Sequence, residues 1–195
     1  MINPEGPNTT TLSSNEINQL LNQVDISLIE EAKKLHLMAE CMEFIPIQEF
    51  TLDSQTKCIC HDEYNLPGVY LFEIKVVVST NIIAWMTDFT NLWRDVTFSW
   101  VPGIKNVRVK SHKELKDWMP IYIGKSKRVA SRVNDHLLKS SAATTFAMKL
   151  KERTNLYGNT FRISWIPMDV RNYNMIVPAI ESALRNRYNP IIGRQ

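Results

Sequence analysis

The N-terminal third of the chain places apolar residues at helical spacing. After a capping-box pattern at 13–16, apolar positions recur every three or four residues in two blocks, 17–24 and 28–35. This pattern predicts two consecutive helices. Residues 45–50 instead alternate apolar and polar positions with a period of two, which is typical of a short strand.

The middle of the chain mixes the two periodicities. A Leu-Pro-Gly turn at 66–68 leads into β-branched and aromatic residues at 69–78, which predicts a strand. Apolar positions within 80–96 approximate one face of a helix. The Pro-Gly pair within 98–109 predicts a hairpin, and residues 112–118 are expected to form a short helix.

The C-terminal part of the chain follows the order strand, helix, helix, strand, helix. A β-like run at 121–124 is followed by an amphipathic helix over 126–138 and by another predicted helix over 142–152. Alternation at 159–166 predicts a further strand. Pro178 suits the first turn of a last helix, because its missing N–H would have no helical partner there in any case.

Length and composition are those of one folded domain with additions. The chain has 195 residues, of which 44% are hydrophobic, enough to bury one core. No apolar run reaches the roughly 18 residues of a membrane span, and we expect no secretory signal from the polar residues 1–12. Three cysteines, an odd number, argue against a disulfide framework and favour a reducing, cytoplasmic setting.

The net charge of +3 conceals two halves of opposite sign. Residues 1–104 carry 5 Lys and Arg against 14 Asp and Glu, a balance of −9, whereas residues 105–195 carry 18 against 6, a balance of +12. A basic body attracts polyanions such as nucleic acids, but a solvated basic surface without a partner has the same composition. Charge alone therefore leaves both interpretations open.

Five short features occur in order in the second part of the chain. They are Gly68-Val69-Tyr70, Tyr122-Ile123-Gly124, Arg132 with His136 one helical turn later, Glu181 in the last predicted helix, and Asn189-Pro190. Each feature alone is common in ordinary strands and on ordinary helix faces. Together and in this order they resemble the GIY-YIG nuclease family, and within it the restriction endonucleases.

The resemblance covers residues 66–195 and implies an α+β fold, in which a small three-stranded antiparallel sheet is flanked by helices. Residues 1–65 would then form an N-terminal arm and a helical appendage. In most members of the family a short turn joins the two tyrosine strands, whereas here Tyr70 and Tyr122 are 52 positions apart. We therefore expect residues 79–118 to be an insertion between two strands that still pair, since hairpin tips tolerate additions at small entropic cost.

The resemblance also implies a metal-dependent endonuclease that hydrolyses DNA phosphodiester bonds. Glu181 would be the protein ligand of one Mg²⁺ or Mn²⁺ ion, and Arg132 would hold a nonbridging phosphate oxygen. The general base stays open among Tyr70, Lys125 and His136, because a phenol with a pKa near ~10 needs help to accept a proton. The catalytic set so implied is Tyr70, Tyr122, Lys125, Arg132, His136, Glu181 and Asn189.

Double-stranded DNA is the partner that the resemblance implies, together with a cognate methyltransferase and without a membrane. A homodimer is an open alternative to a monomer. Three other functions stay open: a non-catalytic nucleic-acid-binding module on the same fold, a repair or mobile-element nuclease, and a protein-interaction protein. The candidate DNA-contacting residues outside the catalytic set are Arg108, Lys110, Lys113, Lys127 and Arg128.

Cys58-Ile59-Cys60-His61 is a separate candidate site, because two cysteines and a histidine can bind zinc. The gap between the cysteines is shorter than in zinc motifs, and no second ligand pair follows downstream. This spacing favours an inert, reduced segment over a zinc site.

Overall fold

The computed structural model describes residues 12–58, 61–77, 81–94 and 98–194. These ranges form an α+β fold, as the sequence predicts. The α-helices are α1 (Ser14–Cys41), α2 (Ile82–Trp93), α3 (Asn106–Ser111), α4 (Val129–Leu138) and α5 (Tyr173–Tyr188). The strands are β1 (Ile45–Thr51), β2 (Gly68–Lys75), β3 (Gly103–Ile104), β4 (Trp118–Ser126), β5 (Thr160–Pro167) and β6 (Ile192–Gly193).

The main sheet is antiparallel and has the strand order β1-β5-β2-β4. The predicted three-stranded sheet is therefore one strand too small. The additional strand, β1, belongs to the range 1–65 assigned to the appendage. It pairs with β5 from Ile45 opposite Trp165 to Thr51 opposite Thr160. This pairing supplies hydrogen-bond partners that the outer edge of β5 would otherwise lack.

The two tyrosine strands are neighbours in this sheet. β2 and β4 pair antiparallel, with Tyr70 opposite Gly124 and Phe72 opposite Tyr122. The described residues between them form α2, β3 and α3, and none of these elements joins the main sheet. The predicted insertion is thus an excursion from the sheet, although it ends at Asp117 because Trp118 already belongs to β4.

Side chains of β2 are buried on both faces of the sheet, so β2 is a central strand. On one face Tyr70 and Phe72 belong to the core cluster that includes α2 and α4. On the other face Val69 and Leu71 pack against α5 and the C-terminal end of α1. Tyr122 lies on the Tyr70 face, so the two motif tyrosines share one side of the sheet.

The N-terminal helical region is one helix instead of the predicted two. Its capping box is present, because the Ser13 hydroxyl accepts from the Glu16 N–H and the Glu16 carboxylate accepts from the Ser13 N–H. The backbone between the two predicted blocks stays helical, and there the Ser27 hydroxyl donates to the Gln23 carbonyl at 3.0 Å.

The predicted hairpin over 98–109 is wrong. Gly103 and Ile104 pair with β6 at the C-terminal end of the chain, and Val107 lies in α3. The short helix expected over 112–118 is also wrong, because helical structure ends at Ser111. The conformation of residues 103–104 depends on their pairing with β6, and the periodicity within a segment does not reveal a partner strand so far away in the chain.

The predicted helix over 142–152 is wrong as well. This segment contains turns and a 3₁₀ helix at Leu150–Glu152, and Lys149 has a left-handed backbone with φ 57°. An α-helix does not accommodate that backbone conformation. Pro178 lies in the second turn of α5 rather than the first, because this helix already begins at Tyr173.

α2 contributes a row of aromatic side chains to the core. Trp85 stacks on Phe89 at 5.5 Å between ring centroids, and Phe89 stacks on Trp93 at 6.0 Å. Phe89 and Trp93 are buried and Trp85 is half-buried, so the predicted inward packing is confirmed. Within the described ranges, no helix has both the length and the hydropathy to cross a membrane.

Candidate active site

A cavity of about 330 Å³ is lined by residues from β2, β4, α4 and α5. Five residues of the predicted catalytic set line this cavity together: Tyr70, Tyr122, Lys125, Arg132 and Glu181. A larger cavity of about 590 Å³ between α2 and α3 contains none of them. The lining residues of the smaller cavity are Tyr70, Tyr122, Gly124, Lys125, Arg132, Phe146, Glu181, Arg185 and Arg194.

Tyr70 and Tyr122 lie side by side, with their ring centroids 6.2 Å apart. Gly124 permits this arrangement, since a β-carbon at its position would come within 2.4 Å of the Tyr70 hydroxyl oxygen. Burial raises the pKa of the Tyr70 phenol well above its ordinary value and also raises the pKa of Tyr122. Both side chains are therefore neutral phenols at physiological pH.

His136 lies behind Tyr70 and is fully buried. Its Nδ1 accepts a hydrogen bond from the Met148 backbone N–H at 3.1 Å. Because a backbone N–H can only donate, the neutral imidazole carries its proton on Nε2, which donates to the Tyr70 oxygen at 2.9 Å. Burial, with the nearby Arg132 charge, holds the pKa of His136 well below its ordinary value. This arrangement makes His136 a hydrogen-bond donor to Tyr70 and removes it as a proton acceptor.

Arg132 is half-buried on α4, one helical turn before His136. Its guanidinium donates to the Phe146 carbonyl and, at 3.4 Å, to Asp135. These contacts orient the side chain toward the cavity, where it also interacts with the Tyr70 hydroxyl.

Glu181 is 4% exposed and is held by two cations. The Lys125 ammonium lies 2.5 Å from one carboxylate oxygen, and the Arg185 guanidinium lies 2.7 Å from the other. Arg185 also donates to the Ile123 carbonyl at 3.1 Å, which ties α5 to β4. Arg185 is not among the residues predicted from the sequence, although its position four residues after Glu181 on a helix is a signal for an ion pair.

Arg194 is a second cation of the cavity that was not predicted from the sequence. It follows β6, is exposed, and lies over the Phe146 ring at 5.5 Å. The cavity lining thus carries four Lys and Arg side chains against one carboxylate, a formal charge of +3. Such a cavity attracts an anion, and phosphate oxygens match the geometry of guanidinium donors.

Among the residues that the structure describes, Glu181 is the only carboxylate that lines the cavity. In the described part of the chain, no three His, Cys, Asp or Glu side chains cluster as a preformed metal site requires. Each Glu181 oxygen is engaged by one cation and retains a further lone pair. The donor set fits a hard ion that takes one protein carboxylate and completes its shell with water and phosphate oxygens.

The other predicted residues are not among those that line the cavity. Asn189 does not line it; Asn189 ends α5 in a left-handed conformation, and its carbonyl contacts His112 Nε2 at 2.8 Å. Arg108 is close enough for its charge to interact with Arg185 and Glu181. Lys110 and Lys113 line the larger cavity instead.

Two predicted DNA-contacting residues are exposed at the start of α4. Lys127 lies over the Tyr173 ring at 5.6 Å, and Arg128 is the residue that precedes the first turn. Of the zinc candidate, Cys58 is exposed, whereas Ile59 and Cys60 lie outside the described residues.

Comparison of the chain with family models, with curated proteins and with solved structures finds no match.

Proposed function

We propose that this protein is a metal-dependent endonuclease that hydrolyses phosphodiester bonds in double-stranded DNA, in the manner of a restriction enzyme. The observation that carries the proposal is the cavity that Tyr70, Tyr122, Arg132 and Glu181 line together. Tyr70 and Glu181 are 111 positions apart in the sequence, so their meeting depends on the whole fold. These residue types, in this order, are the ones that the family resemblance assigns to catalysis.

Substrate binding follows from the charge of the cavity. A phosphodiester carries one negative charge, and the cavity lining carries a formal +3. Arg132 is placed to hold a nonbridging oxygen of the scissile phosphate, because its guanidinium lines the cavity beside Tyr70 and Tyr122. Residues 105–195, with a balance of 18 basic against 6 acidic residues, would attract the flanking DNA backbone.

The two phenols orient groups in the cavity rather than accept protons. The raised pKa values of Tyr70 and Tyr122 keep both hydroxyls protonated, so each can donate to water or to a phosphate oxygen. The Nε2–H of His136 fixes the position of the Tyr70 oxygen. Tyr70 and His136 are excluded as the general base in this state. Lys125, the third candidate that the sequence leaves open, is here the ammonium partner of Glu181, so it could accept a proton only after losing one.

Glu181 is the proposed ligand for Mg²⁺ or Mn²⁺. Such an ion would supply positive charge that polarises the scissile phosphate and stabilises the charge developing at phosphorus. Lys125 and Arg185 hold the Glu181 carboxylate in one orientation at the wall of the cavity. Because the carboxylate is already ordered, binding of the ion would cost less side-chain conformational entropy.

One observation favours the second candidate function, a nucleic-acid-binding module without catalysis. Both Glu181 oxygens are already paired with cations, and a side chain so engaged can serve structure alone. In that case the positive cavity would bind a phosphate without cleaving the chain.

A cleavage assay separates the two candidates. Purified protein is incubated with plasmid DNA in Mg²⁺, in Mn²⁺ and in EDTA, and DNA binding is measured in parallel. We expect nicked or linear DNA with either metal and intact plasmid in EDTA. Binding without cleavage in every condition would favour the binding module, and the absence of both binding and cleavage would contradict both candidates.

A further inference from the structure

Within the described part of the chain, α1 packs against the rest of the protein only near its C-terminal end. Leu35, Ala39 and Met42 pack with α5, and the Arg187 guanidinium donates to the Met42 carbonyl at 2.5 Å. Every residue from Ser14 to Lys34 is exposed. Most of this 28-residue helix therefore faces solvent.

The exposed part of α1 carries a narrow apolar stripe. Ile17, Leu21, Val24 and Leu28 follow one another at spacings of four, three and four residues, which is the a and d pattern of a coiled coil. Their side chains are 44%, 60%, 55% and 49% exposed. We call these four residues the α1 seam. Leaving four large apolar side chains in water costs free energy that a partner helix would recover.

We propose that the α1 seam binds the α1 seam of a second copy of this chain, in antiparallel orientation. In this register Ile17 packs against Leu28 of the second copy, and Leu21 packs against Val24. The pattern is self-complementary, because the spacings read four, three, four in both directions. All four layers of the seam are then apolar.

Charge selects the antiparallel orientation. The next position of the same heptad is Glu31, so a parallel pair in register would place two Glu31 carboxylates against each other. In the antiparallel register Glu31 lies opposite Ser14, outside the apolar layers. Asp25, which flanks the seam, then lies nearest Asn18 of the second copy, so like charges do not meet within the contact.

The charge of α1 also disfavours other partners. Between Ser14 and Cys41 the helix carries 5 Asp and Glu against 2 Lys, a balance of −3. An acidic helix is repelled by DNA and by anionic lipid surfaces. A protein surface of matching spacing is the partner class that remains, and the seam itself supplies one.

A four-layer contact is small beside the roughly 800 Å² per partner of a standard protein interface. We therefore expect dimerisation with a dissociation constant on the order of 1 µM rather than 1 nM. Sedimentation equilibrium across a hundredfold range of concentration should show a transition from 22.6 kDa to twice that mass. A mass of 22.6 kDa at every concentration would overturn the proposal.

The matched variants are Leu21→Glu in the seam and Ile26→Glu on the opposite side of the same helix. Both residues are exposed, at 60% and 59%, so both changes should preserve the fold. Leu21→Glu should weaken dimerisation at least tenfold, whereas Ile26→Glu should leave it unchanged. Equal effects of the two variants, or a dimer that tolerates Leu21→Glu, would refute the seam as the interface.

A charge exchange tests the orientation. Leu21→Lys and Val24→Glu should each be monomeric alone, but an equimolar mixture should dimerise, because antiparallel packing places residue 21 of one copy against residue 24 of the other. Parallel packing offers no such contact. A mixture that stays monomeric while the wild type dimerises would overturn the antiparallel register.

Discussion

Gly124 lies directly against the Tyr70 side chain across the β2–β4 pair, and the two residues are partners in the strand register. A β-carbon at Gly124 would come within 2.4 Å of the Tyr70 oxygen and within 2.9 Å of the Tyr122 ring. The missing side chain therefore creates the space in which the two phenols meet. This glycine is a structural requirement of the cavity, although it has no functional group of its own.

Gly124→Ala should displace both tyrosines and lower DNA cleavage at least tenfold. Overpacking of this kind costs about 1–3 kcal/mol of stability. Gly103→Ala is the matched control, because a β-carbon there meets nothing within 4 Å. Thermal unfolding and plasmid cleavage of both variants check the prediction. Gly124→Ala with wild-type cleavage would show that the placement of the tyrosines does not matter.

The second prediction concerns stability at acidic pH. Burial lowers the pKa of His136 well below 6.5, so between 6.5 and the folded-state pKa the unfolded chain binds a proton that the folded chain does not. The contribution of His136 to the free energy of unfolding is therefore fully present above pH 6.5. It is lost as pH decreases through this window, by up to about 1.4 kcal/mol per pH unit. His112 contributes in the same direction, because burial lowers its pKa too.

His136→Gln isolates the contribution of this residue. The glutamine amide can still donate to Tyr70 but does not titrate, so the variant should lose part of the pH dependence. Urea unfolding at pH 7.5, 6.0 and 5.0 gives the slope for each protein. A variant with the wild-type slope would show that His136 is protonated equally in the folded and unfolded states.

Arg132→Ala should separate cleavage from binding. The variant loses the proposed phosphate contact, and a lost oxyanion donor typically costs about 2.7–4 kcal/mol of transition-state stabilisation. DNA affinity should fall only modestly, since it is distributed over many basic residues. Arg171→Ala, an exposed arginine outside the cavity lining and outside the candidate DNA contacts, is the control and should cleave normally. Loss of binding as large as the loss of cleavage would contradict this assignment.

Features that depend on local periodicity could be predicted from the sequence. The capping box at Ser13, the strands around Tyr70 and Tyr122, and α4 were all found from spacing alone. Two of the errors have a different cause. The strand predicted at 45–50 is confirmed as β1, but its place in the main sheet was not predicted, and β3 was assigned to a hairpin. Both are decided by partner strands far away in the chain, and the spacing within a segment does not encode its partner.

The candidate site also combines features that the sequence predicts with features that it does not. Residue order was enough to predict that Tyr70 and Glu181 share a cavity, but not that Lys125 and Arg185 both hold the Glu181 carboxylate. The role of His136 depends on the Met148 N–H, which belongs to an irregular segment that periodicity assigned to a helix. Residue types alone do not predict which backbone group of an irregular segment will contact a given side chain.

The central claim is that Glu181 supports metal-dependent cleavage of DNA, and Glu181→Ala tests it most directly. The variant should bind DNA at near wild-type affinity, lose cleavage by at least a hundredfold and no longer respond to Mg²⁺. Glu114→Ala, an exposed carboxylate outside the cavity, should behave as wild type. Cleavage by Glu181→Ala at the wild-type rate, with the same dependence on Mg²⁺, would contradict the account.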